Sequence, residues 1–262
     1  MENILIILRK EWLEIREQRS LLLSVILPPL FFALLPIVLI LIIGQVPDMA
    51  THLNTSSALP IPALSHLLPG ETGQAVVGLQ FSILYLILPI IIPSIIASYG
   101  IVGEKNNGTL EPLLATPIKT WQLLVGKCVA AVLPALFVTW ICGLCFFLAF
   151  SAFALSPRVV EVVVTPGWLI ALFLWTPVLA LLSVAVMTAV SSRVNDPRTA
   201  QQFSAWFVVP FLLIFLGQIF GVVVLGVFFA LAGLFVLLVV TLLAFWLVTL
   251  LFQREVILTR WK

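Results

Sequence analysis

Few side chains in this sequence have the types and spacing that chemistry requires. Cys142 and Cys145 have the CxxC spacing of redox or metal pairs, and His52 and His66 are the two histidines of the chain. The two cysteines lie in a long apolar run with no histidine or acid nearby in sequence. We therefore interpret them as small packing residues and the histidines as solvated loop residues, with a redox or metal pair as the alternative.

Two other kinds of chemistry are disfavoured by what the sequence lacks. It contains no GxxxxGK[ST] motif, so we predict that this chain does not bind nucleotide phosphates itself. Asp, Glu, Lys and Arg are absent from five long stretches, which are 20–47, 72–103, 128–157, 162–192 and 199–253. Ion-coupled carriers and intramembrane enzymes normally keep ionisable residues at membrane depth, so these stretches argue against both classes.

The composition and the uncharged stretches predict an all-α, polytopic membrane protein. The chain has 262 residues, of which 62% are hydrophobic and 9% charged, against about 25% charged in soluble domains. A membrane crossing needs about 20 apolar residues, so each of the first four stretches fits one helix. The fifth would be about 82 Å long as one helix and must cross twice. The six predicted spans are 22–44, 78–100, 127–150, 168–190, 204–217 and 227–251.

The remaining polar segments are too short for a second domain, so we predict a single membrane domain over 1–262. Residues 2–19 predict an amphipathic helix at the membrane surface, either a simple anchor or a docking element for a soluble partner. Its predicted apolar face consists of Ile4, Leu5, Leu8, Trp12 and Ile15, with Lys10, Glu14 and Glu17 roughly opposite. Ile6, Ile7 and Leu13 interrupt this pattern.

The distribution of basic residues predicts the orientation. With six spans, 12 of the 13 Lys and Arg residues fall on the side of the two termini, and Arg158 falls on the other. The positive-inside rule then predicts cytoplasmic termini in the plasma (inner) membrane. Anionic lipid headgroups account for the basic residues, so we predict contact with membrane lipids and no nucleic-acid partner.

One polar segment interrupts the apolar sequence, GEKNNGTLEPLLATP at 103–117, which we call the polar island. Thr109 can cap a helix that begins at Leu110, and Pro112 then falls in the first turn, where its missing N–H is tolerated. The helix must end by Thr116, because the residue before Pro117 disfavours the α conformation. The residues alone predict a short cytoplasmic helix over about 109–116. It either rests on headgroups or contacts a partner.

The polar island resembles a motif of the permease subunits of type-2 ABC exporters, ExxxGTLExLLxTP followed by a basic start of the next span at Gly126 and Lys127. The matching residues are Glu104, Gly108, Thr109, Leu110, Glu111, Leu113, Leu114, Thr116 and Pro117. Two more segments are similar to this family: 9–29 to its interfacial helix, and 191–210 to its second cytoplasmic loop. The second loop contributes Arg193, Asp196 and Arg198.

The resemblance implies that the polar island is a coupling helix held by a separate cytoplasmic ABC ATPase. Two copies of that subunit would bind ATP and Mg, so no cofactor and no catalytic or metal site is expected in this chain. The permease would pair with a second copy or with a homologous permease and export an unidentified cargo by alternating access. The alternative is a secondary transporter or channel that is not coupled to ATP.

Overall fold

The computed structural model describes residues 2–45, 64, 66–106, 120–191, 194, 197–219 and 226–251. Of these described residues 94% are helical and none lies in a strand. The prediction of an all-α membrane protein is therefore confirmed.

The helices follow one another with short breaks. In chain order they are α1 (Glu2–Glu17), α2 (Arg19–Gln45), α3 (Pro69–Leu84), α4 (Leu88–Asn106), α5 (Thr120–Phe153), α6 (Pro157–Val163), α7 (Pro166–Ile170), α8 (Thr176–Ser191), α9 (Pro197–Ile219) and α10 (Val227–Leu251). A 3-10 turn, Tyr85–Ile87, joins α3 to α4, and a π-helical turn, Ala171–Trp175, joins α7 to α8.

Five helical segments of the described chain are long and apolar enough to cross a membrane. They are Arg19–Ile43, Gly70–Gly100, Val125–Phe153, Pro166–Ser191 and Val227–Val248. A shorter apolar helix, Val208–Gln218, lies within α9 and corresponds to the predicted short fifth span. Each predicted span overlaps one of these segments, although the second begins at Gly70 rather than at 78.

The α3–α4 segment is the centre of the bundle. In its most apolar part 72% of the residues are buried, against 11% in α10. Along its length it packs against α2, α5, α8 and α9, whereas α10 packs on α7 and α8. The outer helices therefore leave apolar faces for lipid or for another subunit, while α3–α4 is enclosed by its own chain.

Prolines inside the spans leave backbone carbonyls unpaired, and side chains from neighbouring helices bond to two of them. Pro36 has no N–H for the carbonyl of Phe32, which accepts a hydrogen bond of 2.9 Å from the Tyr85 hydroxyl. The carbonyl of Ala130, four residues before Pro134, accepts a long hydrogen bond of 3.4 Å from Trp12 Nε1. Neighbouring helices thus provide donors for carbonyls that the prolines leave without a partner.

One end of the bundle is held by Gln74, which is fully buried in α3. Its Nε2 donates to the carbonyls of Ile40, at 3.4 Å, and Phe153, at 3.2 Å. Its Oε1 accepts from the backbone N–H of Leu155 at 2.9 Å. This neutral set, which we call the amide clasp, joins α2, α3 and the end of α5.

Candidate functional site

The polar island lies between α4 and α5. Glu104 is in the last turn of α4, which continues to Asn106, and α5 begins at Thr120. The other predicted coupling residues lie outside the described residues. They are Gly108, Thr109, Leu110, Glu111, Leu113, Leu114, Thr116 and Pro117. Their roles remain predictions, and the structure describes the two helix ends to which the island is attached.

The second predicted loop joins α8 to α9. Arg193 and Asp196 lie outside the described residues, and Arg198 is in the first turn of α9. Because α4 packs against both α8 and α9, the two loops predicted to face the cytoplasm are attached to neighbouring helices.

A buried ion pair connects α1 with the helices on both sides of the island. Lys127 Nζ in α5 lies 2.7 Å from Glu11 Oε1 in α1 and donates to the Gly100 carbonyl of α4 at 3.0 Å. The side chain of Lys127 is 13% exposed and that of Glu11 is 6% exposed. We call Glu11, Lys127 and Gly100 the charged clasp.

The burial of Glu11 and Lys127 determines how strongly a substitution of either residue affects stability. The attraction between opposite charges grows as water is excluded, but both charges also lose their hydration. The net stabilisation by such a pair is small, whereas removing one partner leaves the other charge uncompensated. The clasp joins α1, α4 and α5, and we expect its disruption to destabilise the bundle more than its presence stabilises it.

Two glycines allow the three helices to approach closely enough for this contact. A Cβ added at Gly126 would lie 2.8 Å from Cγ2 of Ile7, so the bare backbone of α5 receives the Ile7 side chain. A Cβ added at Gly100 would lie 3.1 Å from Glu11 Oε2. Larger residues at either position would push α1 away from its partners.

Helix α8 closes the other side of the charged clasp. Val184 and Thr188 of α8 and Ile96 and Ala97 of α4 line the small gap beside the ion pair. The clasp thus lies where four helices meet, at the end of the bundle from which the polar island emerges.

The packing of α1 differs from the predicted apolar face. Leu5 and Trp12 of that face are exposed, which suits contact with lipid, but the buried edge consists of Ile7 and Glu11. Sequence reasoning treated Ile7 as an interruption and gave Glu11 no role. A surface helix packed on a bundle has both a lipid face and a protein edge, and a single amphipathic pattern describes only the first.

The prediction that the CxxC cysteines are packing residues fits Cys142, which is buried, but not Cys145, which is exposed. Cys142 and Cys145 are free thiols in α5; Cys142 is buried, with Sγ 3.8 Å from the Pro29 carbonyl, and Cys145 is exposed. A Cβ added at Gly143 would lie 2.8 Å from the Leu172 side chain, so this small residue also permits a close helix approach. His66 is exposed, and His52 lies outside the described residues.

Comparison with known proteins identifies the class. Residues 5–228 match the model of the ABC-2 family transporter proteins, and the chain belongs to that family. It is a multi-pass membrane protein of that family.

Two relatives share a short segment with this chain. Over 43 residues it is 42% identical to the "Probable multidrug ABC transporter permease YbhR" of Escherichia coli strain K12 and to the protein of the same name from Escherichia coli O157:H7. The matched segment covers 16% of this chain and 12% of each relative.

Proposed function

We propose that this chain is the membrane-spanning permease subunit of an ATP-driven exporter, with residues 1–262 forming one permease domain. It moves its cargo by alternating access and takes the energy from a separate cytoplasmic ATPase. Membership of the ABC-2 transporter family supports this proposal, since permeases of this class work with ATPase subunits.

The observation that carries the proposal is the polar island between α4 and α5. Its capping residues favour a short, stiff helix at about 109–116, and its sequence matches the coupling motif of the family. A partner can drive a conformational change only if it contacts the two states differently. The predicted short helix, linked to α4 and α5 by a few residues on each side, would provide such a contact. The second loop, with Arg193, Asp196 and Arg198, would contribute to the same surface.

ATP and Mg would be bound by two copies of the ATPase subunit, since this sequence has no phosphate-binding motif. A second copy of this chain, or a homologous permease, would complete the path. The apolar faces that α2 and α10 leave exposed are available for lipid or for this second permease. The termini and the polar island are assigned to the cytoplasmic side of the plasma membrane because 12 of 13 basic residues fall there.

For the cargo, we propose an amphipathic or lipid-like molecule. The long uncharged stretches in the spans favour an apolar surface over one that binds ions, and the relative named above is called a multidrug permease. Stimulation of ATP hydrolysis by lipids and drugs, measured on the complex in lipid discs, tests this choice. Stimulation by a charged hydrophilic compound alone would contradict it.

The alternative function is a secondary transporter or channel that needs no ATP, or a membrane assembly protein that transports nothing. The uncharged spans disfavour the first, because ion coupling normally uses paired ionisable groups at membrane depth. Cargo movement by the purified chain in vesicles without ATP would establish a secondary transporter or channel and would reject the ATP-driven exporter.

The main experiment is co-purification from the native membrane. We expect the tagged chain to retain an ATPase subunit whose ATP hydrolysis depends on the permease. Glu111→Lys or Leu114→Asp in the polar island should abolish this dependence. Glu161→Lys serves as the matched control, because Glu161 is an exposed acid of α6 on the side assigned to the outside. Equal loss in the control would contradict a specific role of the island.

A further inference from the structure

We propose that the cavity between α4, α8, α9 and α10 is a binding site for one acyl chain of a resident membrane lipid. The cavity has a volume of about 530 Å³, and residues of all four helices and of the π-helical turn line it. This volume lies within the range of about 300–1,000 Å³ that is typical of small-molecule sites. The site goes beyond the proposed function and does not depend on it, because it requires only that the chain spans a membrane.

The chemistry of the lining favours an apolar ligand. None of the described residues that line the cavity is charged, and only Ser183 and Trp175 have polar side-chain atoms. Both are already bonded within the bundle. The Ser183 hydroxyl donates to the Ile90 carbonyl at 2.7 Å, and Trp175 Nε1 donates to the carbonyl of Ala230 at 2.8 Å. Water, an ion or a lipid headgroup would find no partner there, whereas a hydrocarbon chain needs none.

The length and depth of the cavity fit a chain of one leaflet. Its lining extends along α10 from Phe229 to Val240, which is about 16 Å at 1.5 Å per residue. This stretch lies mainly in the first half of the span Val227–Val248. Because the hydrocarbon core is about 30 Å thick, the cavity is about as long as one leaflet is deep. With the termini on the cytoplasmic side, that leaflet is the outer one.

The cavity opens towards the bilayer between α9 and α10. Over the described residues both helices pack against α8 but scarcely touch each other, which leaves a gap between them. Val236 at the rim is 58% exposed, whereas Phe211 on the inner wall is 6% exposed. Lipid chains are therefore the molecules that meet this opening in the membrane.

The floor of the cavity is fixed before any ligand binds. Trp175 is the last residue of the π-helical turn and lies against the backbone of α10, because a Cβ added at Gly233 would overlap its indole ring. The hydrogen bond from its Nε1 to Ala230 holds the ring in this position. A preformed site loses little conformational freedom on binding, and π-helical turns are frequent at functional sites.

Photochemical labelling of the complete chain in lipid discs tests this inference. The probe is phosphatidylcholine with a diazirine in the middle of one acyl chain, present as a minor component of the discs. Peptide mapping should find Phe211 labelled as strongly as Leu242, which is 69% exposed on α10 and does not line the cavity. Lipid that only surrounds the bundle would label Leu242 far more than Phe211.

Two substitutions of the same kind separate the cavity from the remaining surface of α10. Val236→Phe places a larger side chain in the cavity, and we expect it to lower the labelling of Phe211 at least about tenfold, equivalent to about 1.4 kcal/mol of binding. Val239→Phe is the matched control, because Val239 is exposed on the same helix but does not line the cavity. The control should label Phe211 as the wild type does, and neither substitution should change the labelling of Leu242.

A stability measurement checks the same site without a photochemical step. Phosphatidylcholine added to the detergent-solubilised chain should raise the melting temperature of the wild type and of Val239→Phe more than that of Val236→Phe, because a ligand stabilises only the state that binds it. Should Val236→Phe fail to fold, Ala232→Phe fills the same cavity from one turn earlier in α10.

Three results would overturn the inference, and none of them bears on the exporter function. The first is labelling of Leu242 without labelling of Phe211; cross-linking of two copies through Val236→Cys would then assign the cavity to a permease interface. The second is equal labelling of Phe211 in Val236→Phe and Val239→Phe. The third is loss of the label from Phe211 when an amphipathic drug is added, which would assign the cavity to cargo instead of a resident lipid.

Discussion

The charged clasp and the amide clasp show two ways of holding helices together in one bundle. In both, a side chain on one helix reaches backbone carbonyls of a neighbour: Lys127 bonds Gly100, and Gln74 bonds Ile40 and Phe153. In the amide clasp both halves of a neutral group are used, because Leu155 also donates to the Gln74 oxygen. In the charged clasp the lysine depends on Glu11, a residue 116 positions away in the sequence.

This difference determines how much each end of the bundle tolerates change. Loss of the amide leaves uncharged groups without partners, whereas loss of one ion leaves a charge. The end of the bundle that carries the polar island therefore has the attachment that is more sensitive to single substitutions.

We expect the largest loss of stability for Lys127→Met. Glu11 would remain buried without its cation, and breaking a buried pair in this way lowers the free energy of unfolding by about 3–5 kcal/mol. Denaturant titration of the detergent-solubilised chain measures it.

Lys10→Met is the matched control, because Lys10 pairs with Glu14 at 3.1 Å on the same helix but the two side chains are 40% and 50% exposed. We expect Lys10→Met to change the free energy of unfolding by no more than about 0.5 kcal/mol. Equal effects of the two substitutions would remove the distinction between a buried and an exposed pair.

We expect an intermediate loss of stability for Gln74→Leu. The N–H of Leu155 would lose its partner, and an unpaired buried polar group lowers stability by about 1–3 kcal/mol. The same titration measures the change. Gln80→Leu is the control on α3, since the Gln80 Oε1 is buried without a partner among the described residues and should lose nothing. A larger loss for Gln74→Leu than for Lys127→Met would reverse the comparison of the two clasps.

The smallest loss of stability is expected for the hydrogen bond near Pro36. Tyr85→Phe removes the hydroxyl that bonds the Phe32 carbonyl and should lower stability by about 1 kcal/mol. In a Pro36→Ala background an N–H is again available to that carbonyl, so the same change should have less effect. A double-mutant cycle measures this coupling, and strict additivity would show that the hydroxyl does not compensate for the proline.

Much of the fold follows from where charges are absent. The uncharged stretches located the spans, and the surface helix was predicted at 2–19 where α1 covers Glu2–Glu17. The second span was predicted to begin at 78, within the uncharged stretch 72–103, whereas the helix begins at Pro69. In the structure Glu71 is in the first turn of α3 and accepts from the N–H of Leu68 at 3.0 Å, a favourable place for an acid at a helix N-terminus.

The charged clasp could not be predicted in the same way. Periodicity describes one element at a time, whereas Glu11 and Lys127 are brought together by the packing of α1 on α5. Gly126 and Lys127 were noticed as the start of a span, but no pattern within α1 marks Glu11 as buried. The coupling residues from Gly108 to Pro117 remain predictions from the motif.

The most direct test of the whole account is the accessibility of the polar island. Glu111→Cys in a chain without Cys128, Cys142 and Cys145 places one thiol there for a membrane-impermeant maleimide. We predict labelling in inside-out vesicles, none in right-side-out vesicles, and protection when the ATPase subunit is bound. Labelling from the outside, or no protection by the bound ATPase, would contradict the coupling role of the island.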